Sequence, residues 1–267
     1  MSQRPTDYHL STQNPQYQFY PEARRNLYVF PPGVADPGAT NTVPIQLNPP
    51  QLEDYLKSQV AHDPVQHIYV TSLEYCKQLK KPWHEFIIVS VKSDDQGAAP
   101  LENFIVLDRT TTASSDRAAK HIVNAVSNSQ LYPAQDMFRI SYNGSIKNLL
   151  NHCNLSKYEV LEKLVFRNEA FLLYELAALS KAISSRHQFY NALKYQCFWY
   201  ANLVWECIIQ VLQSSTFDLT RSASAKMTRG DFGKIHYLKV SKEETLKVLV
   251  AFRREHFISE RYLSEVR

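Results

Sequence analysis

Tyr195-Gln196-Cys197-Phe198-Trp199-Tyr200-Ala201 places a thiol where an irregular segment turns into an apolar helix. Much earlier in the chain, Trp83-His84-Glu85-Phe86-Ile87-Ile88-Val89 opens a short continuous apolar run of the kind a buried strand carries. These two stretches decide the reading of the fold: a sheet packed on a helix that has a cysteine in its first turn. After Cys197, the residues Ala201, Val204, Trp205 and Ile208 recur at helical spacing, and Cys197 lies one turn back on the same stripe. Unpaired backbone N–H groups and the helix dipole at such a position stabilise a thiolate.

Working outward, Phe104-Ile105-Val106-Leu107-Asp108 reads as a second buried strand, joined to the first by a hairpin loop that contains Gly97 and Pro100. If the hairpin is centred near Gly97, opposed residues sum to 194 and Asp108 faces Phe86. His84 and Asp108 then share a sheet face, offset diagonally by about 7–8 Å at Cβ. A carboxylate closing an apolar run needs a partner. His84, the adjacent Arg109 and solvent compete for it. Two other histidines are weighed against His84. His236 follows the cysteine helix but has no following strand to supply an orienting group, and His187 lies only ten residues before Cys197.

The rest of the chain predicts helices over 51–62, 115–126, 156–166, 168–183, 197–212 and 241–254. The 156–166 helix rests on a Ser156-x-x-Glu159 capping box. Strands are predicted over 67–73, 137–142 and 234–240, with a polar loop over 214–233. Residues 1–50 hold nine of the thirteen prolines together with Tyr17, Phe19, Tyr20, Tyr28 and Phe30. They read as a Pro- and aromatic-rich extension lying on a single α+β domain over 51–267.

Composition excludes several functions. A hydrophobic fraction of 44% and a charged fraction of 21% are those of an ordinary globular chain of 267 residues. A net charge of +4 is too small to argue for nucleic acid as a partner. The polar start predicts no secretory signal, and no run approaches the ~18 apolar residues of a membrane span. Cys76, Cys153, Cys197 and Cys207 have no zinc or redox spacing, so a cytoplasmic protein with reduced thiols is expected. With only six glycines and no phosphate-binding loop, neither a metal nor a nucleotide cofactor is expected.

A histidine on an early strand, a polar residue on the next and a later cysteine opening a helix resembles the permuted papain-like group. That group includes the lecithin:retinol acyltransferase-like and permuted NlpC-type proteins and certain intracellular isopeptidases. Trp83-His84-Glu85-Phe86, Val106-Leu107-Asp108 and Gln196-Cys197-Phe198-Trp199-Tyr200-Ala201 carry the likeness, within residues 67–212. The resemblance implies a thiol hydrolase or acyltransferase acting on a peptide, lipid or small acyl substrate through an acyl-enzyme. Its expected parts are Cys197 as nucleophile, His84 as base, Asp108 as orienter, Gln196 at the oxyanion, and Trp83 and Tyr200 along the substrate groove. A catalytically inactive binding module that keeps the fold is the alternative.

Overall fold

The computed structural model describes residues 30, 35, 40–60, 68–81, 83–93, 102–111, 132–190, 196–223, 225, 227–232, 235–236 and 240–266. Most of the proline-rich extension, the helix expected over 115–126 and the tip of the central hairpin lie outside them.

One antiparallel sheet organises the molecule. Strands β1 (Ile45–Leu47), β2 (Ile68–Gln78), β3 (Glu85–Ser93), β4 (Glu102–Thr111), β5 (Tyr132–Ile140), β6 (Tyr158–Phe166) and β8 (Phe217–Arg221) run in the spatial order β1-β5-β4-β3-β2-β6-β8. The short β7 (Phe189–Tyr190) adds to β5. Among the described residues five helices accompany it: α1 (Pro49–Val60), α2 (Ile146–His152), α3 (Leu173–Ser184), α4 (Cys197–Val211) and α5 (Lys242–Val266). Strands β9 (Asp231–Phe232) and β10 (Ile235–His236) pair with each other, apart from the large sheet.

The centre of the sheet matches its sequence pattern. Ile87 pairs with Leu107, Ile88 with Val106 and Val89 with Ile105, so opposed residues sum to the expected 194. Alternation sends the two sets of side chains to different cores. Ile87, Val89, Ile105 and Leu107 join the main core with α1, α3, α4 and α5, whereas Phe86, Ile88 and Val106 join a smaller core under Leu149 and Leu150 of α2. At the head of α1, the amide of Gln51 donates to the Asn48 side chain and the amide of Asn48 to the Gln51 side chain, both at 2.9 Å. This reciprocal cap starts the helix where the sequence places it.

The sheet is wider than expected because two segments read otherwise are strands. Residues 158–166, expected within a helix, form β6 and pair with β2 and β8. Tyr158 and Val160 pack on the small core while Leu161 and Leu164 pack on the main one, so both faces of the segment are apolar. A helix over these residues would leave one of those sets in water; ladder pairing and two-sided burial outweigh a local capping signal. Lys163 Nζ also meets Glu74 Oε1 across the ladder at 2.8 Å. Strand β8 falls in the expected polar loop. Only its first residue, Phe217, is buried, which leaves no alternating pattern to read. Helix α2 follows directly on the turn at Asn143-Gly144, capped by Ser145, whose hydroxyl accepts from the Asn148 amide at 3.3 Å. Ile45–Leu47 pairs with β5, and Phe30 and Ala35 are in the main core, so parts of the N-terminal extension pack as integral structure.

Candidate active site

The site lies at the end of the sheet where β3 begins and β4 finishes. The chain leaves β2 through a tight turn in which the Trp83 amide donates to the Lys80 carbonyl and the Gln78 amide to the His84 carbonyl, each at 2.8 Å. Trp83 sits in the left-handed region at φ 55°, an uncommon position for a bulky residue, and delivers His84 to the head of β3. Lys81 Nζ lies 5.2 Å from the centre of the Trp83 ring. The His84 ring stacks on Phe86 at 6.1 Å, so the two share a face.

Asp108, only 1% exposed, is on β4. Its Oδ2 lies 3.0 Å from His84 Nε2. Its neighbour Arg109 does not compete for it, because alternation turns Arg109 to the other face. There Nε and Nη2 meet Asp136 Oδ1 and Oδ2 at 2.6 and 2.7 Å, and Nη2 also donates to the His187 carbonyl at 2.9 Å. The same guanidinium lies 4.8 Å from the Trp199 ring and 5.2 Å from the Tyr200 ring. Arg109 thereby fastens the first turn of α4 to the sheet.

Cys197 is the first residue of α4. The first bond of the helix ladder runs from the Tyr200 amide to the Gln196 carbonyl, and Gln196, the N-cap, adds no side-chain cap. The Cys197 amide therefore precedes the ladder, at the positive end of the dipole. Although α4 packs on the face of Ile87 and Leu107, Cys197 at its head comes close enough to the His84 ring to bear on its charge. With Nε2 engaged by Asp108, Nδ1 is the ring nitrogen left for the sulfur.

These contacts set the charge of the ring. Burial disfavours imidazolium, but Cys197 and the hydrogen-bonded Asp108 carboxylate together raise His84 from 6.5 to about 10. Burial pushes Cys76 well above the usual thiol range and Cys207 up to about 12, and Cys153 is raised by burial against the opposing influence of Arg139.

Gln196 is buried at the cap. Trp83 is half-buried beside His84. Tyr200 is wholly buried against Arg109, in the core and not along an open groove. His187 packs edge-on against Trp199 and lies 3.3 Å from Glu244 Oε1. His236 belongs to the β9–β10 ribbon. Among the described residues no His, Cys, Asp and Glu side chains cluster as a metal site. An open cleft of about 550 Å³, lined by Tyr69, Lys92, Phe166 and Glu169 among others, lies at the opposite end of the sheet.

Two features escape the sequence. Arg139 Nη2 stands 3.4 Å from Asp108 Oδ1, a contact legible only once β5 is known to pair with β4 so that Arg139 opposes Val106. Beside the cysteine, the buried Lys77 Nζ meets Glu85 Oε1 at 2.8 Å and the Thr228 carbonyl at 3.0 Å. Tyr75 donates to Glu85 Oε2, and the Gly230 amide donates to the same carboxylate. No family model, curated protein or solved structure matches the chain. Among the described residues no helix is long and apolar enough to cross a membrane.

Proposed function

We propose that the protein is a cysteine-dependent hydrolase or acyltransferase with a permuted papain-like arrangement, acting on an amide, isopeptide or ester. The observation that carries the reading is an imidazole held by a buried carboxylate at 3.0 Å, with the cysteine that opens a helix near enough to bear on its charge. In the proposed reaction the Cys197 thiolate attacks the carbonyl carbon, forming the S–C bond and moving an electron pair onto the carbonyl oxygen. The Cys197 amide and the Gln196 side chain receive that oxyanion. Collapse breaks the bond to the leaving nitrogen or oxygen, which takes its proton from the His84 imidazolium. Neutral His84 then removes a proton from water or an acceptor nucleophile, which attacks the thioester and releases Cys197. Asp108 holds the ring in the orientation that serves both steps. Trp83, beside the histidine, borders the approach.

Alkylation by iodoacetamide tests this directly. A nucleophile served by His84 as base should react at pH 6 at least tenfold faster than free cysteine. His84→Ala should abolish that advantage. Cys197 reacting at the rate of free cysteine, with no loss in His84→Ala, would refute the enzyme reading. The 5% exposure of Cys197 favours the alternative of an inactive binding module with the same fold, and this result would support it.

A further inference from the structure

We propose that Arg139 is a positioning residue of this site, acting on His84 through Asp108; the inference rests on the reading above. Asp108 has two carboxylate oxygens and almost no access to water. One, Oδ2, is taken by the histidine. The other, Oδ1, is buried with no hydrogen bond and faces the Arg139 guanidinium at 3.4 Å. A buried carboxylate with a single hydrogen bond is costly to keep ionised unless a cation stands beside it. Arg139 is that cation. It also fixes which oxygen is left for the ring, since a rotated carboxylate would give up one contact or the other.

The arrangement is built into the ladder. Arg139 opposes Val106 and Asp108 opposes Met137, so Arg139 and Asp108 are diagonal neighbours on the face that carries Phe86 and His84. Arg139 Nε is buried without a hydrogen bond, and the side chain is 15% exposed, so Asp108 is the group that answers its charge. Among the described residues, the titratable groups bearing on His84 are Cys197 and Asp108. The chain of influence therefore runs from guanidinium to carboxylate to imidazole to thiol, drawing on β5, β4, the head of β3 and α4.

The test combines the NMR titration of the His84 ring with the pH profile of Cys197 alkylation. Arg139→Gln should raise the ring's midpoint by about one pH unit, because the Asp108 carboxylate then acts on the imidazolium alone, and the pH profile of alkylation should move with it. Arg139→Lys, which keeps the charge, should titrate near the wild type. In an Asp108→Asn background, Arg139→Gln should cause no further shift, because its route is gone. Arg139→Met keeps the aliphatic stem and replaces the glutamine variant if that one does not fold. A wild-type midpoint in Arg139→Gln, or a shift that persists undiminished beside Asp108→Asn, would overturn the proposal. Alkylation unaffected by His84→Ala would fell the enzymatic reading itself, and the positioning role with it, whatever the ring titration shows.

Discussion

At the scale of single residues, His84 makes the most specific commitment. Its midpoint is raised from 6.5 to about 10, so its protonated ring contributes stability fully below 6.5, and that contribution is lost as pH rises through about 10. The stability difference between wild type and His84→Ala, read from urea unfolding, should therefore shrink steadily between those limits. Cys197→Ser removes the largest of the influences that raise the ring, and its midpoint should fall toward 6.5 in an NMR titration. A second commitment concerns Lys77 and Glu85, an ion pair with both members buried. Breaking it by Lys77→Met leaves Glu85 uncompensated and should destabilise the fold by roughly 3–5 kcal/mol, whereas Lys77→Met with Glu85→Leu should recover much of that loss. The diagonal relation of His84 and Asp108 was legible because it needs only one hairpin register, and 194 could be estimated from the loop. Arg139 was not, because its place depends on a strand pair separated by a long intervening segment. Lys77 and Glu85 escaped for another reason: their partners at Thr228 and Gly230 lie about 150 residues away in sequence.

At the scale of elements, the first turn of α4 is held by what lies beneath it. Arg109 is locked to Asp136 and lies over Trp199 and Tyr200, and the Trp199 indole donates to Glu244 Oε1 on α5 at 3.1 Å. Arg109→Met strands Asp136 and frees that turn. We expect a loss of roughly 3–5 kcal/mol in chemical denaturation, together with slower alkylation of Cys197 in the protein that remains folded. The elements also show how far local pattern reaches. The paired apolar runs of β3 and β4 announce themselves because both of their faces are buried, one in each core. Strand β6 has nearly the same two-sided character, yet Ser156 and Glu159 imitate a helix start, and only β2 beside it decides the matter. In α5, Val248, Leu249 and Phe252 are buried as an amphipathic helix requires, while Leu246 and Val250 are exposed on the other side. An apolar count alone therefore overstates what that helix buries.

At the scale of the whole molecule, the order of parts along the chain gives the site its character. The histidine and the carboxylate belong to one hairpin, and the cysteine arrives about ninety residues after Asp108 from an element packed on the opposite face. Two cores thus converge on one junction. Leu149→Ala, in the small core, should cost about 2–5 kcal/mol by the usual reckoning for a buried leucine, and it should disturb the ring titration of His84 without altering the environment of Trp205 in the main core. Fluorescence and NMR on the same variant separate the two effects. The left-handed Trp83 shares in this design, since it is the last residue before the ring whose backbone is not governed by the sheet. Nucleophile and base therefore rest on foundations that can be altered one at a time. Evolution, or an engineer, can retune proton affinity by repacking beneath α2 while the thiol's own footing stays as it was.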